Sequence, residues 1–199
     1  MPLKRHSIMA VIFASLSLLL AAEPTFAGTY WPEVHKNIRD GGDEYIIVPT
    51  PVPEGVTVDT ATEWVYEHIA YASDVEVWGG EYWQDSLQTL SMGTGDCEDK
   101  AILLVALLRS LGVSEDNVRV VAGMVGGGPP TPEGIYYPAK HVWAEFYDGT
   151  QWYVLDPTLG IEMTWAEYRD TYSAERQFAF NDIYGTAEKN IWPNYWKPL

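Results

Sequence analysis

Apolar residues return every three or four positions in the first half of the chain. Ala61, Trp64, Val65, His68, Ile69 and Ala72 line one stripe, and that period predicts a helix with one buried face. Thr60 and Glu63 stand at capping-box spacing before it, each side chain placed to bond the other's free backbone N–H. Trp83, Leu87 and Leu90 predict a shorter helix over residues 83–90, with those three facing inward. The next segment differs in kind. Residues 97–111 are apolar nearly all round, the mark of a central, buried helix. Asp96 is its N-cap, Asp99 follows three residues on, and Gly112 ends it at the C′ position.

Beyond Gly112 the helical period gives way to β-branched and alternating runs. Residues 118–125, 140–147 and 151–156 read as strands, and Asp148-Gly149-Thr150 between the last two is a hairpin signal. Residues 126–134, rich in Gly and Pro, read as a mobile loop, and residues 164–172 as a short helix. Trp192, Tyr195 and Trp196 in the tail are expected to pack back on the body rather than bind sugar. Residues 28–58 form a wrapping arm with one strand candidate at 45–48. Helices first and an antiparallel sheet afterwards make an α+β domain over residues 59–199. There is no repeat and no linker that would divide it.

The N-terminus stands apart. Lys4, Arg5 and His6 precede an apolar run from Ile8 to Ala22, shorter than the ~20 residues that a membrane span needs. A basic start, a short apolar run and small residues after it describe an export signal over residues 1–27, with Thr25 and Ala27 at the recognition positions. The alternative is an uncleaved anchor helix. Either way the domain faces outward and is read as secreted. The net charge of −16 repels nucleic acid and anionic lipid. No membrane contact is expected beyond the signal or anchor segment. Nine tryptophans and thirteen tyrosines imply an aromatic core.

Cys97 is the only cysteine. A lone cysteine in an exported chain is a reactive thiol or an intermolecular link, and a buried structural cysteine is the plainer alternative. Its place in the first turn of a helix favours an anion and so the nucleophilic thiolate. Asp96, Glu98 and Asp99 oppose that charge, so a protonated histidine or a bound metal ion must offset them. In the hairpin, a two-residue turn at Gly149-Thr150 puts Trp143 opposite Asp156 and His141 two residues farther on the same face. That diagonal brings imidazole and carboxylate within reach. Asp156 is then expected to accept the Nδ1–H of His141 and fix its tautomer.

Gly95-Asp96-Cys97-Glu98-Asp99-Lys100-Ala101, Leu108-Arg109, Leu111-Gly112, His141-Val142-Trp143-Ala144-Glu145 and Tyr153-Val154-Leu155-Asp156-Pro157 together resemble the transglutaminase-like superfamily. Tyr82-Trp83-Gln84 is similar to a segment of its bacterial and archaeal members. The resemblance covers residues 60–160. It implies a papain-like core, a Cys97-His141-Asp156 triad, and hydrolysis or acyl transfer at amides or thioesters of a peptide or protein, proteins of the cell surface among them. Such chemistry requires no cofactor. For the oxyanion, the Cys97 N–H is one donor and Gln84 the candidate for the second, with the indoles of Trp83 and Trp78 behind it. Some periplasmic cysteine proteases of this superfamily hold calcium by acids flanking the nucleophile, so Asp96, Glu98 and Asp99 become candidate calcium ligands. Three adjacent acids cannot supply six to eight oxygens alone, and capping and solvation also explain them. A catalytically silent binding module with the same fold is the rival reading. His68 reads as a core or edge histidine, His35 has no partner, and Glu145 reads as solvated on a strand edge.

Overall fold

The structure, a computed structural model, describes residues 43–126, 139–183 and 185–186 of the 199-residue chain. The expected signal, His35, the loop beyond Gly126 and the aromatic tail lie outside the described residues. No helix among the described residues is long and apolar enough to cross a membrane.

Helices α1 (Ala61–His68), α2 (Asp74–Val77), α3 (Ser86–Met92) and α4 (Cys97–Ser110) come first. The short strands β1 (Ala70–Tyr71) and β2 (Thr94–Gly95) pair in parallel between them. Strands β3 (Val118–Val125), β4 (Ala139–Tyr147), β5 (Trp152–Asp156) and β6 (Ile161–Thr164) follow. Helix α5 (Trp165–Tyr172) and strands β7 (Glu175–Phe180) and β8 (Gly185–Thr186) complete the order. The six-stranded antiparallel sheet runs β6-β5-β4-β3-β7-β8.

Helix α4 is the axis of the fold. Every side chain from Ala101 to Leu108 is fully buried. α1 and α3 pack on one side of it and β3 and β4 on the other. Each large apolar side chain so buried contributes roughly 1.5–3 kcal/mol of transfer free energy. The far face of the sheet carries a second core of Val121, Trp143, Trp152, Val154, Tyr168, Ala174 and Ala179. Gly123, paired with His141, sits where the β3–β7 register shifts. A Cβ there would lie 2.1 Å from Glu175 O and 2.6 Å from the Trp143 ring, so only glycine fits.

Three local expectations change. Residues 45–48 form a turn and irregular chain. Their polar groups bond α3 instead of a sheet: Tyr45 O accepts the Ser86 N–H at 2.8 Å, and the Ile47 N–H donates to Ser86 Oγ at 3.1 Å. Thr60 stands at the N-cap of α1, but its hydroxyl accepts the Thr57 N–H at 3.0 Å and makes no capping box with the exposed Glu63. Helix α3 begins at Ser86, capped by Asp85, whose carboxylate accepts the Gln88 N–H at 2.8 Å. That later start turns Ser86 and Thr89 inward and leaves Leu87 exposed. Trp83 still fills the core from the preceding loop, against Tyr45 and Phe180.

Candidate active site

Cys97 opens α4 and is partly buried. The approach to it is tightly built. β1–β2 pairing sets Tyr71 beside Gly95, and a side chain on Gly95 would lie 2.6 Å from Asp99 Cβ. Asp99 folds back over the turn and accepts the Asp96 N–H at 3.3 Å, the Gln84 N–H at 2.8 Å and the Gln84 amide at 2.6 Å. The Cys97 thiol donates to Glu98 Oε2 at 3.2 Å.

The hairpin brings His141 and Asp156 together. Tyr147 pairs with Trp152 and Ala144 with Leu155, the parity that a two-residue turn would give. Asp148 Oδ1 ties the loop by accepting the N–H groups of Thr150 and Gln151. His141 Nε2 lies 2.7 Å from Asp156 Oδ2. The nitrogen facing the carboxylate is therefore Nε2 and not the expected Nδ1, which leaves Nδ1 free of Asp156; Cys97 is among the neighbours that favour the charged ring. Burial alone would discharge the imidazole, but the charge and hydrogen bond of Asp156 and the contact with Cys97 outweigh it and push His141 up to about 10. Burial likewise disfavours the Asp156 carboxylate, and the His141 charge with several donors nonetheless holds it below its ordinary range. Those donors include the Tyr168 hydroxyl and the N–H groups of Thr158 and Leu159.

Gln84 is buried beside this site, but its amide is spent elsewhere. Its Nε2 donates to Asp99 Oδ2 and to Thr94 O at 3.2 Å, so both amide hydrogens hold the nucleophile turn together and neither is left for an oxyanion. The indole of Trp83 belongs to the core, and Trp78 is largely exposed against Tyr82. His68 is exposed at the edge, stacked on Trp64.

The acids around Cys97 form a larger cluster than the sequence implied. One carboxylate oxygen each from Asp74, Asp96 and Asp99 lie within 4.8 Å of one another, as do Asp74, Glu81 and Glu98. Burial, the largest cause, raises Asp74 to about 7 and Asp96 to about 8, and drives Glu98 well above its ordinary range. Among the described residues Asp96 Oδ1 and Glu98 Oε1 are buried with no hydrogen-bond partner. These acids come from α2, the following loop and the start of α4; all but the exposed Glu81 are buried, two carry orphaned oxygens, and the set fits a hard divalent cation.

Lys100, Arg119 and Arg176 are cations that lie largely buried near these strands and helices. Lys100 Nζ donates to Ile69 O at 2.9 Å, and burial lowers the amine to about 8. Glu145, expected in solvent, is fully buried. It accepts from Arg119 at 2.6 and 2.9 Å, from Arg176 at 2.7 Å and from the Trp143 indole at 3.1 Å. Arg119 lies over Trp152 and Arg176 over Trp165. The signal was there in the register, since Arg119 stands directly opposite Glu145.

Known proteins bear on this arrangement. No curated protein matches the chain in sequence. Among solved structures, EGTA-treated LapG of Legionella pneumophila is similar at 16% identity and a TM-score of 0.50, over 83% of this chain and 82% of that one. Calcium-bound LapG of the same organism has 17% identity and a TM-score of 0.47, over 83% of each chain. These likenesses concern the fold. The family model for the transglutaminase-like superfamily matches residues 49–157. That match spans more than half of the chain, from the arm before α1 to the residue after Asp156, and the chain belongs to the transglutaminase-like superfamily.

Proposed function

We propose that this chain is an exported cysteine enzyme that hydrolyses amide bonds of a peptide or protein, with Cys97 as nucleophile, His141 as base and Asp156 as the group that orients the base. The observation that carries the reading is the His141 Nε2 to Asp156 Oδ2 contact at 2.7 Å, with the other ring nitrogen left for the cysteine at the start of α4. With its pKa raised to about 10, His141 carries the proton of the Cys97 thiol on Nδ1 at rest, and the Cys97 thiolate attacks the substrate carbonyl carbon. The oxyanion forms against the Cys97 N–H, which has no acceptor inside its helix. His141 returns the proton to the leaving amine, and a thioester on Cys97 remains. Water attacks it, His141 takes that water's proton, and the acid leaves. Asp156 holds the imidazole in register throughout and stabilises it whenever it is charged.

Asp74, Glu81, Asp96, Glu98 and Asp99 are the residues that would hold calcium, whose positive charge would offset the acids that otherwise oppose a thiolate. The basic, then apolar, N-terminus supports export, and the abundance of water favours it as acceptor.

One observation favours the silent-module reading: the Cys97 thiol donates to Glu98 Oε2 at 3.2 Å. Alkylation by iodoacetamide decides between them. An enzyme's Cys97 reacts at pH 6 far faster than a free thiol of pKa ~8.5, and the rate falls in His141→Ala. With a substrate protein, mass spectrometry then finds an acyl group on Cys97, and Cys97→Ala stays folded and inactive. A thiol no more reactive than free cysteine, in the presence and absence of calcium, would leave the fold as a binding module.

A further inference from the structure

Asp156 is saturated by donors from three directions. Its Oδ1 accepts the N–H groups of Thr158 and Leu159 at 3.0 and 3.2 Å, both from the turn that follows β5. Its Oδ2 accepts His141 Nε2–H at 2.7 Å and the Tyr168 hydroxyl at 3.0 Å. Tyr168 comes from a separate element, α5, and neither its ring nor Asp156 is exposed. A capping box fixes the start of α5, where Thr164 Oγ1 accepts the Glu167 N–H at 3.2 Å and Glu167 accepts the Thr164 N–H at 3.0 Å. The Tyr168 ring is then clamped between Trp143, at 5.4 Å between centroids, and Tyr172, at 4.9 Å.

This placement has a physical reason. The turn donors confine Oδ1 to a hydrogen-bonding range, and a twist about the Cβ–Cγ bond within that range still shifts Oδ2. A second donor on Oδ2, from a rigid helix, stops that twist at the angle where the oxygen meets the imidazole. Phenylalanine would pack in the same space, so the hydroxyl is not explained by burial of the ring. Burial keeps the Tyr168 phenol protonated, which makes it a donor at every working pH.

We propose that Tyr168 is a positioning residue of the active site, which locks the Asp156 carboxylate in the orientation that holds His141 Nε2–H. This rests on the reading of Asp156 as the partner of a catalytic base. The test is hydrogen exchange of the His141 Nε2–H proton, followed by NMR on ¹⁵N-histidine-labelled full chain near neutral pH, with the signal identified by its loss in His141→Ala. In Tyr168→Phe that proton exchanges roughly tenfold faster, the amount expected for losing one hydrogen bond to a charged group, while the backbone amides of α4 keep their protection. Tyr172→Phe, the neighbouring ring, leaves the rate unchanged. An unchanged rate in Tyr168→Phe, or a rise in step with the α4 amides, overturns the proposal, because the hydroxyl would then serve stability alone. Should Tyr168→Phe not fold, the unmodified protein decides. A protected Tyr168 hydroxyl proton with an Overhauser contact to His141 Nε2–H supports the lock, and a freely exchanging hydroxyl ends it. No substrate enters the measurement, so the result stands whether or not Cys97 proves reactive.

Discussion

Glu145→Gln isolates the buried charge network beneath the active-site strand. The carboxylate joins two guanidinium groups, each stacked on a tryptophan, and also the Trp143 indole. Glutamine keeps the shape and removes the charge that faces two arginines whose side chains are no more than 8% exposed. Removing one partner from such a site costs about 3–5 kcal/mol, or a fall in Tm of roughly 6–20 °C for a chain of this length. Urea unfolding followed by circular dichroism measures it, with an unchanged slope confirming that the native state is intact. The pH dependence follows from the carboxylate. Burial raises its pKa, but Arg176 and Arg119 outweigh burial and hold it below its ordinary range. A depressed pKa contributes stability above the unfolded value of ~4.3 and loses it as pH falls through the folded value. The gap between the two proteins is therefore full at pH 7 and closes below about pH 4. Added salt changes it little, because a dry pair is poorly screened. A gap under about 1 kcal/mol at pH 7 would mean that the arginines find other partners, and the reasoning from burial would fail.

Three further outcomes are expected. Asp156→Asn should slow turnover by about 10²–10⁴-fold with Cys97 still alkylated, since the imidazole loses its anion and its fixed tautomer; full activity would remove Asp156 from the site. Calcium at a hundred times its dissociation constant should stabilise the fold by about 2.7 kcal/mol, read as a rise in Tm that EGTA reverses and Asp74→Asn abolishes; no shift would assign the acids to solvation. His141→Ala should change the alkaline side of the stability curve. The raised His141 pKa adds stability that is whole below the unfolded value of ~6.5 and lost as pH rises through about 10, so the wild-type advantage should vanish between those limits; an equal advantage at pH 10.5 would contradict the ion pair.

Much of this was legible in the sequence where one local rule sufficed. Asp148-Gly149-Thr150 set the hairpin parity, and with it the meeting of His141 and Asp156. The unbroken apolar run after Cys97 could only be a buried helix. What depended on a partner far along the chain was not legible. Gln84 has the residue type of an oxyanion donor, yet its amide is captured by Asp99, fifteen positions on. Glu145 shares a face with His141 as read, but nothing in β4 itself says that α5 and two arginines cover that face. The ring nitrogen turned toward Asp156 depends on a side-chain rotation that strand parity does not specify. Asp74 and Glu81 joined the acids of α4 only through the fold of the α2 loop.

Helix α4 has no side that can face water from Ala101 to Leu108, and this shapes how the chain is made as well as how it stands. The strands that cover it, β3 to β5, are complete only at Asp156. A ribosome adding ~5–20 residues per second leaves that greasy segment uncovered for on the order of seconds. Over that interval the nascent chain is a client for any holdase, and a neighbouring copy is the competing sticky surface. Yield on refolding should therefore depend on protein concentration far more than the small size of the domain suggests, and dilution or a holdase should rescue it.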